Sequence, residues 1–114
     1  MKTLIAITQR VAEVAAYSER RDALDQRWYS LLAQAGLLPM LLPNQPDMAL
    51  ELVSRLQPAG LLLSGGNTLS VYGGDAPERD ATERALLSGW ALPEQKPVLG
   101  VCRGMQLLQH YFDQ

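Results

Sequence analysis

The sequence is poor in cysteine, histidine and phenylalanine, with one residue of each among 114. One cysteine cannot form a disulfide within the chain, so any chemical role of Cys102 is that of a free thiol. At this size, roughly two-thirds of the unfolded chain's surface becomes buried on folding, which is enough for one core without a disulfide or a structural metal. We therefore expect one domain over residues 1–114, with no cofactor and no metal site.

A large excess of charge and long apolar runs are also missing. The chain carries 10 Lys and Arg against 12 Asp and Glu, a net charge of −2, and its basic residues are scattered. This excludes a basic face for nucleic acid. The longest apolar stretch, Ala35 to Pro43, is too short to cross a bilayer. The first residues lack the apolar core and cleavage site of a signal peptide, so we expect a cytoplasmic protein.

Four short apolar segments alternate with helical patterns. The predicted strands are Thr3 to Thr8, Leu37 to Leu42, Gly60 to Ser64 and Pro97 to Val101. The predicted helices run from about Glu19 to Ala35, from Asn44 to before Pro58, from Asp75 past Trp90, and onward from Cys102. This alternation predicts an α/β, flavodoxin-like fold, in which a parallel sheet of about four strands has helices on both faces.

Local signals predict where these elements begin and end. Gly36 is the expected C-cap of the first helix, and Asn44 is the expected N-cap of the second. Asp75 and Glu78 have the spacing of a capping box at the start of the third helix. Pro39 predicts irregular backbone at the start of the second strand.

Apolar stripes on the helices predict the core. The residues expected to point inward are Leu24, Trp28, Leu31, Leu32 and Ala35 on the first helix, Leu50, Val53 and Leu56 on the second, Leu86, Leu87 and Trp90 on the third, and Met105, Leu108 and Phe112 on the last. By contrast, the i,i+4 pairs Arg79–Glu83 and Asp80–Arg84 are typical of a solvated helix face.

Gly100-Val-Cys102-Arg-Gly104 is the most informative segment for chemistry. A G-x-nucleophile-x-G pattern between a strand and a helix is typical of a nucleophile elbow, in which glycines permit a sharp turn. The turn would hold the Cys102 sulfur at the carboxyl edge of the sheet and at a helix N-terminus, which favours a thiolate. The alternative is that Cys102 is merely a small buried apolar residue. We favour the elbow because strand, glycines and helix fall in register.

Ser64-Gly65-Gly66-Asn67 follows the third predicted strand and is the second candidate element. Acyl transfer needs hydrogen-bond donors where negative charge develops on the attacked carbonyl, and the backbone amides of Gly66 and Arg103 would supply two. The alternative is an ordinary glycine turn. Beside an elbow, we favour the oxyanion role.

His110 is the first residue to consider as a general base, since it is the single histidine. It follows Cys102 by eight residues on the same predicted helix, about 12 Å further along the axis and away from the turn. We therefore expect a structural or surface role for His110.

The elbow, the SGGN turn and their order resemble the class I glutamine amidotransferase superfamily, as the N-terminal half of such a domain. Arg79-Asp-x-x-Glu83 followed by PVLGVCRGMQ is similar to the signature of its γ-glutamyl-γ-aminobutyrate hydrolase branch, peptidase C26. ITQR near the start, LSGGNTLS at 63–70 and His110-Tyr-Phe112 resemble the γ-glutamyl-CDP-amidate hydrolases of bacterial capsule phosphoramidate synthesis.

The resemblance implies hydrolysis of a γ-glutamyl amide through a thioester, with release of glutamate. γ-Glutamyl-CDP-amidate is the substrate it favours, and γ-glutamyl-γ-aminobutyrate is the alternative. The residues it implicates are Cys102 as nucleophile, Gly66 and Arg103 as oxyanion donors, Gly65, Asn67 and Gln106 at the glutamyl group, and Arg10 at a phosphate.

The superfamily completes its catalytic triad with a His-x-Glu-type pair well downstream, and residues 1–114 contain no such pair. We therefore expect feeble activity from this polypeptide alone, with the missing residues supplied by a complementary C-terminal half or another chain. Two alternatives on the same fold are a non-catalytic ligand-binding module and a redox-sensing thiol. An outer strand with unpaired backbone groups also predicts a homo-oligomer or a complex with a complementary fragment.

Overall fold

The computed structural model describes residues 1–113, which contain two sheets and four α-helices. The strands are β1 (Thr3–Ile7), β2 (Arg10–Val14), β3 (Glu19–Ala23), β4 (Leu37–Leu41), β5 (Leu61–Leu63) and β6 (Val98–Gly100). The α-helices are α1 (Arg27–Gln34), α2 (Pro46–Leu56), α3 (Pro77–Leu86) and α4 (Arg103–Phe112). A π-helical segment, Leu87–Ala91, continues α3, and 3-10 turns occupy Ala15–Tyr17 and Ser70–Tyr72.

The main sheet is parallel throughout, with strand order β4-β1-β5-β6. The chain moves from β1 outward to β4, then returns past β1 to β5 and β6. This reversal makes the carboxyl ends of β1 and β5 a topological switch point, where open α/β sheets bind ligands. The sheet and its helices confirm the predicted α/β, flavodoxin-like class.

Alternating side chains place a separate core on each face of the sheet. The smaller cluster lies on the α1 side and contains Ile5, Ile7, Leu32 and Leu62, with Leu24, Trp28, Leu37 and Val101 packed against it. The larger cluster includes Ala6, Leu61, Leu63, Val53, Leu86, Trp90 and Leu107. The larger core thus anchors α2, α3 and α4, and the smaller one anchors α1.

Residues 10–23 form an antiparallel hairpin that the sequence did not predict. β2 and β3 pair from Arg10 opposite Ala23 to Val14 opposite Glu19. The predicted helix from Glu19 is therefore wrong in its first part, and α1 begins at Arg27. The reason is that the backbone of the polar Glu19–Ala23 segment pairs with β2. The spacing of apolar residues along a helix carries no information about such a pairing. Arg20 then ties the hairpin to α3 by donating to Glu78 Oε2 at 2.7 Å.

Both predicted side-chain N-caps are wrong. The N-cap of α2 is Gln45, whose side chain accepts from the Met48 amide at 2.5 Å, while Asn44 donates to Asp22 at 2.9 Å. The N-cap of α3 is Ala76, which makes no side-chain cap hydrogen bond. The carboxylate of the predicted capping box, Glu78, instead accepts from the hairpin.

Two other expectations about element ends also change. Helix α1 ends with Ala35 as its C-cap, and Gly36 follows it with φ 76°. Pro39 lies within a regular β4, opposite Ile5 of β1. Pro39 is tolerated because β4 is an edge strand of this sheet, where one row of backbone groups needs no partner.

The inner face of α4 is rotated relative to the predicted stripe. Gly104 and Leu107 are buried, and Leu108 and Tyr111 pack on the larger core. Met105 and Phe112 were expected in the core but are exposed, as are Leu31 on α1 and Leu56 on α2. No helix within residues 1–113 has the length and apolar character needed to cross a membrane.

Candidate functional site

The carboxyl ends of β1, β5 and β6 bring three segments of the chain together. Because β5 and β6 are adjacent and parallel, the turn after β5 lies beside Cys102, which follows β6. A cavity of about 240 Å³ lies at this edge. Its lining residues are Arg10, Ala23, Leu24, Asp25, Trp28, Ser64, Gly65, Gly66, Val101 and Cys102.

Cys102 adopts a backbone conformation that is unusual for a residue with a β-carbon. Its φ is 53° and its ψ is −108°, and α4 begins at the next residue. Backbone strain of this kind costs about 1–3 kcal/mol and persists only where the surrounding structure enforces it. The thiol is exposed, so the alternative of a buried apolar cysteine is wrong.

Two glycines permit the close packing that enforces this turn. A β-carbon on Gly104 would lie 2.2 Å from the carbonyl oxygen of Leu63, and one on Gly100 would lie 2.6 Å from the carbonyl carbon of Gly104. The first turn of α4 therefore packs directly on the backbone of β5, with no room for a side chain.

The two glycines after β5 lie next to predicted site residues. A β-carbon on Gly65 would lie 3.6 Å from Cβ of Cys102. Gly66 has φ 87°, and a β-carbon there would lie 2.8 Å from Cδ of Arg10. The structure thus brings together Cys102, Arg10 and both glycines.

Two other predicted substrate residues are placed differently. The amide of Asn67 binds the hairpin, because Oδ1 accepts from the Val11 amide at 2.8 Å and Nδ2 donates to the Val11 carbonyl at 3.0 Å. Gln106 is exposed on α4 and does not line the cavity. Both side chains therefore lie outside the cavity wall.

Arg79 lies directly behind the turn after β5, and its side chain is completely buried. Its guanidinium donates to three consecutive carbonyl oxygens, those of Ser64 at 2.6 Å, Gly65 at 3.0 Å and Gly66 at 2.7 Å. The expectation of a solvated Arg79–Glu83 pair is wrong, because this face of α3 packs against the sheet edge.

Glu83 is also completely buried and accepts hydrogen bonds from three elements. The Thr8 hydroxyl donates to it at 2.6 Å, Arg79 Nε at 3.3 Å, and Arg103 Nη1 also donates to it. The Thr8 hydroxyl in turn accepts from the Ser64 amide at 3.1 Å. One carboxylate therefore links the end of β1, the interior of α3 and the start of α4.

Asp80, which is partly exposed, completes this group of charges. It accepts from Arg103 Nη2 and from the Ser70 amide, the latter at 2.7 Å, so it forms an ion pair with Arg103. Two arginines and two carboxylates balance in charge. We call this set the charge network; its members are Thr8, Ser64, Arg79, Asp80, Glu83 and Arg103.

One side chain that lines the cavity and one that lies behind it have shifted pKa values. Hydrogen bonds from Arg27 lower the pKa of Asp25 to about 2, and the charge of Arg10 acts in the same direction. Burial lowers the pKa of Arg79 from its usual value, while Glu83 opposes this change. The cavity therefore has an ionised carboxylate near Arg10 and a charged arginine behind its floor.

His110 lies in the last turn of α4. Arg84 donates to its Nδ1 at 2.6 Å, and Tyr72 meets its ring edge-on at 6.2 Å between centroids. His110 does not line the cavity, and Asp25 is the one carboxylate among the lining residues that the structure describes. Within residues 1–113 no group of three His, Cys, Asp or Glu residues could hold a metal ion.

Sequence reasoning missed the buried polar residues on the inner face of α3. Arg79, Thr82, Glu83 and Leu86 are its buried residues, and they recur at the spacing of one helix face. A search for apolar stripes alone passes over this face because three of its four members are polar. The signal that could have found it is the helical spacing of Arg79 and Glu83 relative to Leu86.

The chain matches one family model and several known proteins. A family model described as Peptidase C26 matches residues 3–112. The γ-glutamyl-CDP-amidate hydrolase of Campylobacter jejuni is 34% identical over 96% of this chain and 55% of its own length. A glutamine amidotransferase-like protein of Rickettsia prowazekii is 31% identical over 98% of this chain and 44% of its own length.

A GMP synthase of Thermomicrobium roseum is 43% identical over 61% of this chain and 11% of its own length. The chain spans about half the length of the first two of these relatives. The family match covers β1 through α4, and so includes the cavity, the charge network and the turn at Cys102. The chain belongs to the peptidase C26 family.

Proposed function

We propose that this chain is the nucleophile-bearing half of a cysteine-dependent hydrolase that cleaves γ-glutamyl amides. The observation that carries the proposal is the exposed thiol of Cys102, on a strained turn between β6 and α4 at the wall of a cavity. The observation supports a nucleophile elbow, a turn in which backbone strain projects the attacking atom into the site.

The proposed reaction begins when the sulfur of Cys102 attacks the γ-carbonyl carbon. A carbon–sulfur bond forms, the carbonyl oxygen becomes negative, and the carbon–nitrogen bond then breaks as the amine takes a proton. Water hydrolyses the resulting thioester to free glutamate and restores the thiol. The same step order fits any leaving amine, so the chemistry by itself leaves the amine open.

The backbone amides of Gly66 and Arg103 are the proposed donors to the oxyanion. Gly66 is in a turn adjacent to Cys102, and Arg103 is the first residue of α4. Neither amide has an acceptor among residues 1–113. Donors that are already free and fixed strengthen the stabilisation of a developing negative charge.

The proposed substrate is γ-glutamyl-CDP-amidate, with γ-glutamyl-γ-aminobutyrate as the alternative. Arg10 supports an anionic leaving group, because its side chain lies against Gly66 and brings a positive charge to the cavity wall. Trp28 extends the same wall. The name of the Campylobacter jejuni relative supports the diphosphate-containing substrate. A role in capsule biosynthesis in the cytoplasm is part of the same proposal.

The proposal requires residues that the described half does not place in the cavity. Deacylation needs a base to activate water, and Asp25 is held in an ion pair with Arg27 at 2.7 Å. We propose that the base comes from the remaining half of the domain, whether in a longer polypeptide, a separate chain or a second copy. If the 114-residue chain is strictly monomeric and binds no complementary half, the proposal that another chain supplies the base is contradicted.

The test measures glutamate release from γ-glutamyl-CDP-amidate, γ-glutamyl-γ-aminobutyrate and glutamine. We expect Cys102→Ala to abolish release, a longer polypeptide containing the second half to exceed the 114-residue chain, and the CDP-amidate to be preferred. Equal rates of glutamate release from the two polypeptides would contradict the proposal that the 114-residue chain lacks a base. An active Cys102→Ala variant would contradict the proposed role of Cys102 as the nucleophile.

The second candidate is a non-catalytic γ-glutamyl- or nucleotide-binding module. It is supported by the lack of any histidine in the cavity wall within residues 1–113. A binding module predicts that ligand affinity survives Cys102→Ala and that no glutamate is released by any length of chain. Calorimetric titration of that variant with γ-glutamyl-CDP-amidate separates the two candidates.

A further inference from the structure

We infer that the charge network positions the two oxyanion amides, so that Arg79, Glu83 and Arg103 act on the reaction from behind the cavity. This inference rests on the proposed function, because it concerns the donors of the same site. None of these three side chains lines the cavity. Their role is therefore positioning and not contact with the substrate.

The first observation is the convergence of three carbonyls on one guanidinium. Arg79 binds the carbonyl oxygens of residues 64, 65 and 66 within 3.0 Å. The N–H and C=O of a trans peptide point in opposite directions, and residues 1–113 contain no cis peptide bond. The amides of Gly65, Gly66 and Asn67 must therefore face away from Arg79.

This arrangement leaves the amide of Gly66 available at the front of the turn. With its carbonyls fixed from behind, a Gly-Gly turn that would otherwise sample many conformations has one orientation. Arg79 is suited to this task because its planar fork can donate to several acceptors at fixed angles, whereas a lysine presents a single point charge.

The second donor is held by the same carboxylate. The side chain of Arg103 binds Glu83 and Asp80, and the backbone of Arg103 carries the other proposed oxyanion amide. Glu83 also binds Arg79. One buried carboxylate thus fixes both donors, the first through Arg79 and the turn and the second through the start of α4.

A positioning role and a general structural role predict different effects of a substitution on the reactions of Cys102. If the network only stabilises the fold, its variants should affect the Cys102 thiol and the carbonyl site together. If it positions the amides, it should affect reactions that build negative charge on oxygen and spare reactions that need only the thiol.

The experiment compares two probes of Cys102 in the 114-residue chain. Iodoacetamide alkylates the sulfur by displacing iodide and builds no oxyanion on the attacked carbon. The aldehyde 5-oxopentanoate has its carbonyl where the γ-carbonyl would lie; sulfur adds to the aldehyde carbon, the carbonyl electron pair moves to oxygen, and oxygen takes a proton to give a thiohemiacetal.

We expect Arg79→Lys and Glu83→Gln to weaken thiohemiacetal formation by about tenfold or more, because losing one oxyanion donor has effects of that size or larger. Alkylation by iodoacetamide should change by about twofold or less. Arg55→Lys is the matched control, since Arg55 forms an exposed i,i+4 pair with Glu51, and neither probe should respond to it. Thr8→Val, which removes one hydroxyl of the network, should give a smaller loss if a charged variant fails to fold.

Parallel losses with both probes, or unchanged aldehyde affinity, would overturn the inference. A wild-type chain that is alkylated but forms no thiohemiacetal would instead contradict the proposed function. In that case, {1H}-15N NOE values for the Gly66 and Arg103 amides decide the positioning question. A drop at both amides in Arg79→Lys, absent in Arg55→Lys, supports positioning, and unchanged values overturn it.

Discussion

Helices α2 and α3 each contain an i,i+4 pair of arginine and glutamate, yet the two pairs have opposite environments. Arg55 and Glu51 on α2 approach to 2.7 Å with 77% and 62% of their side chains exposed. Arg79 and Glu83 on α3 are 3.3 Å apart and completely buried. The longer contact has the greater structural consequence, because burial removes the competing water and the remaining polar atoms must find partners within the protein.

The partners explain why the buried pair is retained. Arg79 also binds backbone carbonyls of the turn after β5, and Glu83 also binds Thr8 and Arg103. Arg55 has Glu51 as its partner within residues 1–113. The same spacing in sequence therefore indicates an isolated surface contact on one helix and the support of a candidate site on the other.

The largest expected effect comes from breaking the buried pair, with the exposed pair as its control. Arg79→Ala should lower the free energy of unfolding by about 3–5 kcal/mol, because it removes a cation from the buried Glu83 carboxylate and the shared donor of the Ser64, Gly65 and Gly66 carbonyls. Arg55→Ala should change it by about 0.5 kcal/mol or less. Urea denaturation followed by circular dichroism measures both. Equal changes would show that burial does not distinguish the pairs.

The next effect concerns backbone packing beside the network. Gly104→Ala should destabilise the protein by about 3 kcal/mol, since its new β-carbon would press on the backbone of Leu63. Gly36→Ala is the control, with φ 76° and no atom within 4 Å of the added carbon, and should cost about 1 kcal/mol. If thermal unfolding ranks the two variants in the reverse order, the tight contact between α4 and β5 is not as described.

A smaller effect should reveal the strain at Cys102. Cys102→Gly should be more stable than Cys102→Ala by about 1 kcal/mol, because glycine relieves the strained backbone but loses more entropy on folding. Both variants lack the thiol, so the comparison isolates the backbone. Greater stability of the alanine variant in urea would refute strain at this turn.

The smallest effect belongs to an exposed pair at the cavity rim. Arg27 lowers the pKa of Asp25 to about 2, from an ordinary value of 3.8. A carboxyl group with a lowered pKa stabilises the folded state above its ordinary pKa, and this contribution is lost as pH falls from about 4 towards 2. Asp25→Asn should therefore flatten the pH dependence of stability in that window alone. A change in the slope of stability against pH near neutrality would contradict this assignment.

Elements whose signal is local could be predicted from the sequence. The four apolar strands of the parallel sheet and the G-x-Cys-x-G turn fall where expected, because short apolar runs and glycine spacing depend on neighbouring residues. The hairpin of β2 and β3 could not be predicted in this way, since the polar segment after Ser18 becomes a strand only by pairing with residues 10–14.

The charge network was missed for a related reason. Arg79 and Glu83 look like a surface pair until the turn after β5 and the side chain of Arg103 surround them. The cavity residues Trp28 and Asp25 depend on the path of the hairpin and were likewise not foreseen. The roles of Cys102, Gly66 and Arg103 in catalysis remain predictions, although the cavity brings Cys102 next to the glycine turn.

The most direct test of the central claim, attack by Cys102 on a γ-glutamyl carbonyl, uses an ester whose leaving group needs no proton. The 4-nitrophenyl ester of the glutamate γ-carboxyl group should acylate Cys102 as the carbon–oxygen bond breaks and nitrophenolate leaves. Because residues 1–113 place no histidine in the cavity wall and Asp25 is paired with Arg27, we predict slow deacylation, a burst of one equivalent of nitrophenolate and a mass increase of one glutamyl group on Cys102. A chain that shows no burst, or a Cys102→Ala variant with the same burst, would contradict the account.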